Sequence, residues 1–221
     1  MKNLKRISIL MLTLILLVST SCFAATDQFR AFKTWDYELD DVSQTDHDAV
    51  NNAVSYAVWT FQDLGYTNFD GTNYYTVSND KSYLLNNWIN ISGNNYGFYV
   101  YAHGGHSTSN IWFNMQTGTE ATRVYPSDIS GNWHLVFLDS CSVMANDDFA
   151  DAFNTLNQSN RATLGWYDTV KHIASAEWWE HFFSVAGTTN LRSACLSAAD
   201  QCSESTPIRI YGDKTWYGFA W

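Results

Sequence analysis

The sequence predicts an α/β domain, a mostly parallel sheet with helices on both of its faces. Three observations carry that expectation. First, two short apolar runs end abruptly: 96–102 (Tyr-Gly-Phe-Tyr-Val-Tyr-Ala) stops at His103-Gly104-Gly105, and 134–138 (His-Leu-Val-Phe-Leu) stops at Asp139-Ser140-Cys141. Runs of this length without polar alternation suit strands buried on both faces, as in parallel sheets. Second, Ala49, Val50, Ala53, Val54, Ala57, Val58, Phe61 and Leu64 recur at helical spacing, giving a helix with one face in the core. Third, strand-like and helix-like stretches alternate to the end of the chain, the pattern of layered α/β domains.

The elements follow in order. Residues 26–44 read as a polar, acidic, extended segment. Thr45, with Asp48 three residues on, marks the start of the first helix, and Gly65 closes it. Residues 74–77 suggest a short strand and 81–89 a helix. Beyond the two apolar strands, 147–156 read as a helix with Phe149, Ala152, Phe153 and Leu156 inward. Residues 162–166 form a third buried strand, 174–186 and 190–202 two helices, and 208–211 a late strand. Trp178, Trp179, Phe182 and Phe183 sit at helical spacing and are expected in the core. Such folds place ligands at the carboxyl ends of their strands.

No linker, repeat or charge block divides the 221 residues. Residues 25–221 are therefore expected to form one domain, long enough to bury roughly 70% of its unfolded surface. Lys2, Lys5 and Arg6 precede an apolar run at 7–18 and then small residues, with Cys22-Phe23-Ala24 at an acceptable cleavage site. This reads as a signal peptide over 1–24 and a secreted or periplasmic mature protein. Lipidation of Cys22, as in bacterial lipoproteins, is less favoured because the usual leucine three residues earlier is missing.

The formal charge is −10, and removing the leader leaves nine bases against 22 acids, a charge of −13. That excludes nucleic-acid binding through a basic face. No later segment is long and apolar enough to anchor the mature chain in a membrane. Among the cysteines, Cys195 and Cys202 flank a stretch of small residues and are expected to pair in a local disulfide. Cys141 is then left over in an oxidising compartment, which requires an explanation.

The two strand ends offer one. His103 and Cys141 each stand just past a buried strand, 38 residues apart in sequence, with room for a crossover between them. A thiol needs a nearby base to become a nucleophile, and imidazole titrates in the useful range. Gly104 and Gly105 leave backbone N–H groups uncovered beside the histidine, where they can bind a developing oxyanion. This chemistry needs no metal and no cofactor.

A hydrophobic strand ending in His-Gly, followed by another ending in Asp-x-Cys, resembles the caspase–hemoglobinase class of cysteine peptidases, which includes clostripain, gingipains, legumain and caspases. The matching stretches are 98–105 and 135–141. Leu164-Gly165-Trp166 is similar to the strand that follows in bacterial members, so the similarity spans about 95–170. The resemblance implies a three-layer caspase-like domain. It assigns His103 as catalytic histidine, Cys141 as nucleophile, and the N–H groups of Gly104 and Cys141 as oxyanion hole, with Asp139 and Gly105 in support. The implied partner is a peptide or protein substrate. A catalytically inactive secreted binding protein on the same fold is the alternative.

Other pairings fit the residues less well. His103 and His106 have a spacing open to metal but lack a third ligand. His106 is therefore expected at the rim of the site and 107–110 in a solvated loop. With Cys141, Asp168 and His172 supply the residue order of an α/β-hydrolase, but 139–143 lacks both glycines of a nucleophile elbow. Asp168 is thus expected at a helix start and His172 on the surface.

Overall fold

The structure, a computed structural model, describes residues 28–34, 43–68, 75–76, 80–92, 95–114 and 119–217. The expected leader at 1–24, with Cys22, lies outside the described residues. Backbone groups of apolar segments must find partners once they leave water, and here they pair edge to edge. The strands are β1 (Gln28–Lys33), β2 (Thr67–Asn68), β3 (Tyr75–Thr76), β4 (Asn95–Tyr101), β8 (Trp133–Asp139), β9 (Ala162–Trp166) and β10 (Ile208–Gly212). Among the described residues they form one sheet in the order β10-β9-β8-β4-β1-β2, with β3 also paired to β1. Every pairing is parallel except that of β10 with β9. A separate antiparallel sheet of β5 (Gly104–His106), β6 (Ile111–Asn114) and β7 (Arg123–Val124) rises from the end of β4.

Helices cover both faces. On one lie α1 (Gln44–Asp63), α4 (His172–Val185) and α5 (Leu191–Ala199). Ala53, Val54, Val58 and Phe61 of α1 pack there with Tyr99, Phe137, Trp178 and Trp179. On the other lie α2 (Lys81–Leu84), a π-helical turn at Leu85–Ile89, and α3 (Asp148–Ala152). Their core joins Phe98, Val100, Val136 and Leu138 to Phe113, Phe149 and Phe153. Each such side chain, when fully buried, contributes about 1.5–3 kcal/mol. Because side chains alternate along a strand, β4 and β8 feed both cores at once, and this explains their unbroken apolar character.

Several expectations are corrected. The segment expected to be merely extended and polar, 26–44, contributes β1, whose pairing with β4 makes it a core strand. Its charged side chains are matched inside: the Arg30 guanidinium donates to the Asn87 carbonyl and lies 5.4 Å from the Trp88 ring, and Lys33 Nζ donates to Asn51 Oδ1 at 3.0 Å. Helix α1 starts a residue early, capped by Ser43, whose hydroxyl accepts from the Asp46 N–H at 3.2 Å. Helix α3 stops well short of 156 because Asn154 turns left-handed, with φ 56°. Leu156 and Ala152 are only half-buried, as is Phe183, which leans on Tyr56 and Trp59 at ring distances of 6.1 and 6.4 Å.

The expected Cys195–Cys202 disulfide is also absent: Cys141, Cys195 and Cys202 are free thiols. Cys195 is buried on the inner face of α5, which ends at Ala199; Cys202 lies in the turn beyond, and its sulfur donates to the Ala198 carbonyl at 3.2 Å instead of turning to the buried Cys195. Burial pushes the Cys195 thiol well above its usual range and the Cys202 thiol up to about 11. Cys141 is therefore one of three free thiols among the described residues rather than the remainder of a pair.

Candidate active site

The pairing of β4 with β8 sets the site. Tyr101 lies opposite Asp139, so the chain leaves both strands at the same level of the sheet. The ladder is continued past its end: the Ala102 N–H donates to the Asp139 carbonyl at 3.1 Å, and Ser140 Oγ donates to the Ala102 carbonyl at 2.8 Å. The next residues are His103 on one strand and Cys141 on the other. A Cβ on Gly104 would lie 2.4 Å from both the Cys141 carbonyl oxygen and Ser140 Oγ. Only glycine permits that approach, and through it the two sequence motifs meet.

The expected nucleophile sits in a tight turn. Cys141 is half-buried, and its sulfur faces the backbone of Val170, accepting from its N–H at 3.4 Å and donating to its carbonyl at 3.6 Å. Burial pushes its thiol up, and the carboxylates of Asp139 and Asp168 act the same way; the Val170 N–H opposes them. Ser142, the next residue, has φ 60°, a left-handed conformation that costs a non-glycine residue free energy. Its N–H donates to the Asp168 carbonyl at 3.2 Å, which holds the turn.

His103 is exposed at the mouth of the site. In the β5–β6 hairpin, the Asn114 N–H donates to the His103 carbonyl and the Ser107 N–H to that of Asn110, each at 2.7 Å. Bonded and non-bonded pairs alternate in an antiparallel ladder, so the Gly104 N–H points away from β6. Gly105 pairs with Trp112 and supports the hairpin, while His106 and 107–110 are exposed, as expected of a rim.

Asp139 faces the other way. Its carboxylate is 2% exposed and accepts from Tyr99 Oη at 2.8 Å, Trp166 Nε1 at 2.7 Å, Ser175 Oγ at 2.8 Å and Trp179 Nε1 at 3.1 Å. Burial raises its pKa against these four donors. It ties β4, β8, β9 and α4 together beneath the strand end, so any support it gives is indirect.

His172, expected on the surface, belongs to the site. It opens α4, its Nδ1 is 2.5 Å from Tyr101 Oη, and its ring centroid is 6.5 Å from that of His103. Burial lowers its pKa, the charge of His103 lowers it further, and Asp46 opposes both. Asp168, expected at the helix start, is exposed three residues before the cap at Lys171, and its carboxylate accepts from the Thr169 N–H at 2.7 Å. The hydrolase-type pairing of Asp168 with His172 is thus not formed. The signal for His172 was its place just past the third buried strand, on the edge that already held His103 and Cys141. Among the described residues, no three His, Cys, Asp or Glu are grouped to hold a metal ion.

A parallel sheet between helical layers, with a His-Gly strand end against a cysteine strand end, defines a caspase-like fold. The crystal structure of the Drosophila initiator caspase Dronc is similar, with 12% sequence identity and a TM-score of 0.53 over 88% of this chain and 84% of that chain. No family model matches the sequence, and no curated protein matches it either. The likeness is one of fold.

Proposed function

We propose that the chain is a secreted cysteine-dependent hydrolase acting on amide bonds of a peptide or protein. What carries the reading is the close approach of Gly104 to Ser140 and Cys141, which puts His103 and a half-exposed thiol at neighbouring strand ends. Burial keeps the thiol protonated before substrate arrives. His103 therefore acts first as general base: it takes the thiol proton as sulfur attacks the carbonyl carbon. The electron pair of the C=O bond moves to oxygen, where the N–H groups of Gly104 and Cys141 hold it. Collapse breaks the C–N bond, and the imidazolium returns its proton to the departing amine. His103 then takes a proton from water as its oxygen attacks the thioester carbon; collapse breaks the C–S bond and releases the acid, and the imidazolium returns the proton to the Cys141 sulfur.

A second reading, an inactive binding protein on the same fold, draws on the hydrogen bond from the Cys141 thiol to the Val170 carbonyl. A diverse peptide library, incubated with wild type and with Cys141→Ala and read by mass spectrometry, separates the two. The hydrolase reading expects new termini with wild type alone. Identical product lists from both proteins would favour the binding protein.

A further inference from the structure

Helices α1 and α4 each follow a parallel strand, so both begin at the carboxyl edge of the sheet and run down the same face side by side. Between them lies a groove of about 370 Å³ whose walls include Asp48, Tyr56 and Trp59 of α1 and Ile173, Glu177 and Glu180 of α4. Its upper end adjoins the candidate active site, because Ile173 follows His172. Its lower end is aromatic: Trp59 packs edge-on against Tyr56 at 5.3 Å and near Phe183 at 6.4 Å. Trp59 still leaves 45% of its surface exposed, and Ile173 leaves 40%. Large apolar side chains exposed along one groove mark an interaction surface.

The charge of the groove identifies what fits it. Neither helix contains a lysine or arginine. The three carboxylates on its walls meet neutral donors, Asp48 the Gln44 amide at 2.9 Å, Glu177 the Ser203 N–H and hydroxyl at 2.8 and 2.7 Å, and Glu180 the Tyr56 hydroxyl, and among the described residues the one titratable cation acting on them is His181 beside Glu177. From Thr45 to Trp59 the helix rises about 20 Å, the reach of about six residues of extended chain.

We infer that this groove docks a cationic segment of the polypeptide substrate, with arginine or lysine side chains against Asp48, Glu177 and Glu180 and an apolar side chain against Trp59 and Ile173. That the segment belongs to a substrate rests on the hydrolase reading above. Anionic walls attract the segment and set its register, while the aromatic end favours arginine, which also stacks on indole. The contact lies on the helical face rather than at the strand ends, so it selects substrates without touching the bond that breaks.

The test uses full-length Cys141→Ala protein, which binds without turnover, and fluorescent six- to eight-residue peptides rich in arginine and carrying one tryptophan. Anisotropy is expected to show saturable binding of these peptides and none of matched glutamate peptides. Asp48→Asn/Glu177→Gln/Glu180→Gln should weaken binding at least tenfold, and Trp59→Ala three- to tenfold. Glu120→Gln/Asp151→Asn/Asp200→Asn, which removes as much charge elsewhere, should change it less than twofold. Equal weakening by both triple variants would reduce the effect to net charge and overturn the inference, as would no binding at all. It would also be overturned if the groove variants changed the sedimentation coefficient and not peptide binding, which would assign the groove to a second copy of the chain. Cleavage by wild type without docking sinks the groove alone; docking without cleavage sinks the hydrolase reading alone.

Discussion

Asp139 and Cys141 stand two residues apart at the end of one strand, in opposite surroundings. Asp139 is sealed beneath the edge, and all its donors come from strands and a helix: Tyr99 of β4, Trp166 of β9, and Ser175 and Trp179 of α4. Cys141 is half-buried, its sulfur meets the loop backbone at Val170, and it is followed by a residue in a left-handed turn. The first arrangement satisfies a buried carboxylate and ties layers together; the second holds a sulfur by two long contacts to one loop residue. In the proposed hydrolysis these two polar residues of one motif divide into scaffold and chemistry, and burial with its partners makes the division.

Breaking the scaffold side should cost the most stability. Asp139→Ala strands four buried donors and is expected to lower unfolding free energy by about 3–5 kcal/mol in urea melts. Asp139→Asn keeps one acceptor and should cost about 1–3 kcal/mol. Gly104→Ala breaks the link between the two sides, since its Cβ would meet the Cys141 carbonyl oxygen at 2.4 Å. A loss of about 100-fold in peptide hydrolysis is expected from the displaced strand ends, with about 1–3 kcal/mol of stability.

Acidification should sharpen the comparison, because Asp139 and His172 respond with opposite signs. Burial lowers the His172 pKa, so the unfolded chain binds more protons between the folded value and about 6.5. Stability is then lost as pH falls through that window, and His172→Gln should flatten the loss in urea melts between pH 7.5 and 5. Burial raises the Asp139 pKa, so the folded state takes its proton first and this residue favours folding as pH falls. The smallest effect is expected from reductant. With the three described cysteines free, dithiothreitol should leave the melting temperature unchanged.

Much of this was legible in the residues. Strands β4, β8 and β9 and the stripe of α1 follow from apolar runs and helical spacing, and the His-Gly and Asp-x-Cys motifs lie, as expected, at neighbouring strand ends. Strand β1 was missed because Arg30 and Lys33 give Gln-Phe-Arg-Ala-Phe-Lys the look of a surface segment, and their contacts with Asn87, Trp88 and Asn51 come from other elements. The β5–β7 sheet was missed because each of its strands is four residues or shorter. The disulfide expectation fails because sequence spacing does not show that Cys195 is buried within α5 while Cys202 turns back on the end of that helix. His172 escaped because its partners, Tyr101 and His103, are about 70 residues away in sequence and meet it only across the sheet edge.

The central claim is that the Cys141 thiol reacts under the control of His103. Its most direct test is labelling of the folded protein with a peptidyl acyloxymethyl ketone, followed by intact-mass and peptide-mapping analysis. One adduct on Cys141 is expected in wild type, none in Cys141→Ala, and a rate at least about 100-fold lower in His103→Ala. A folded wild type that takes up no label until it is denatured would contradict the account.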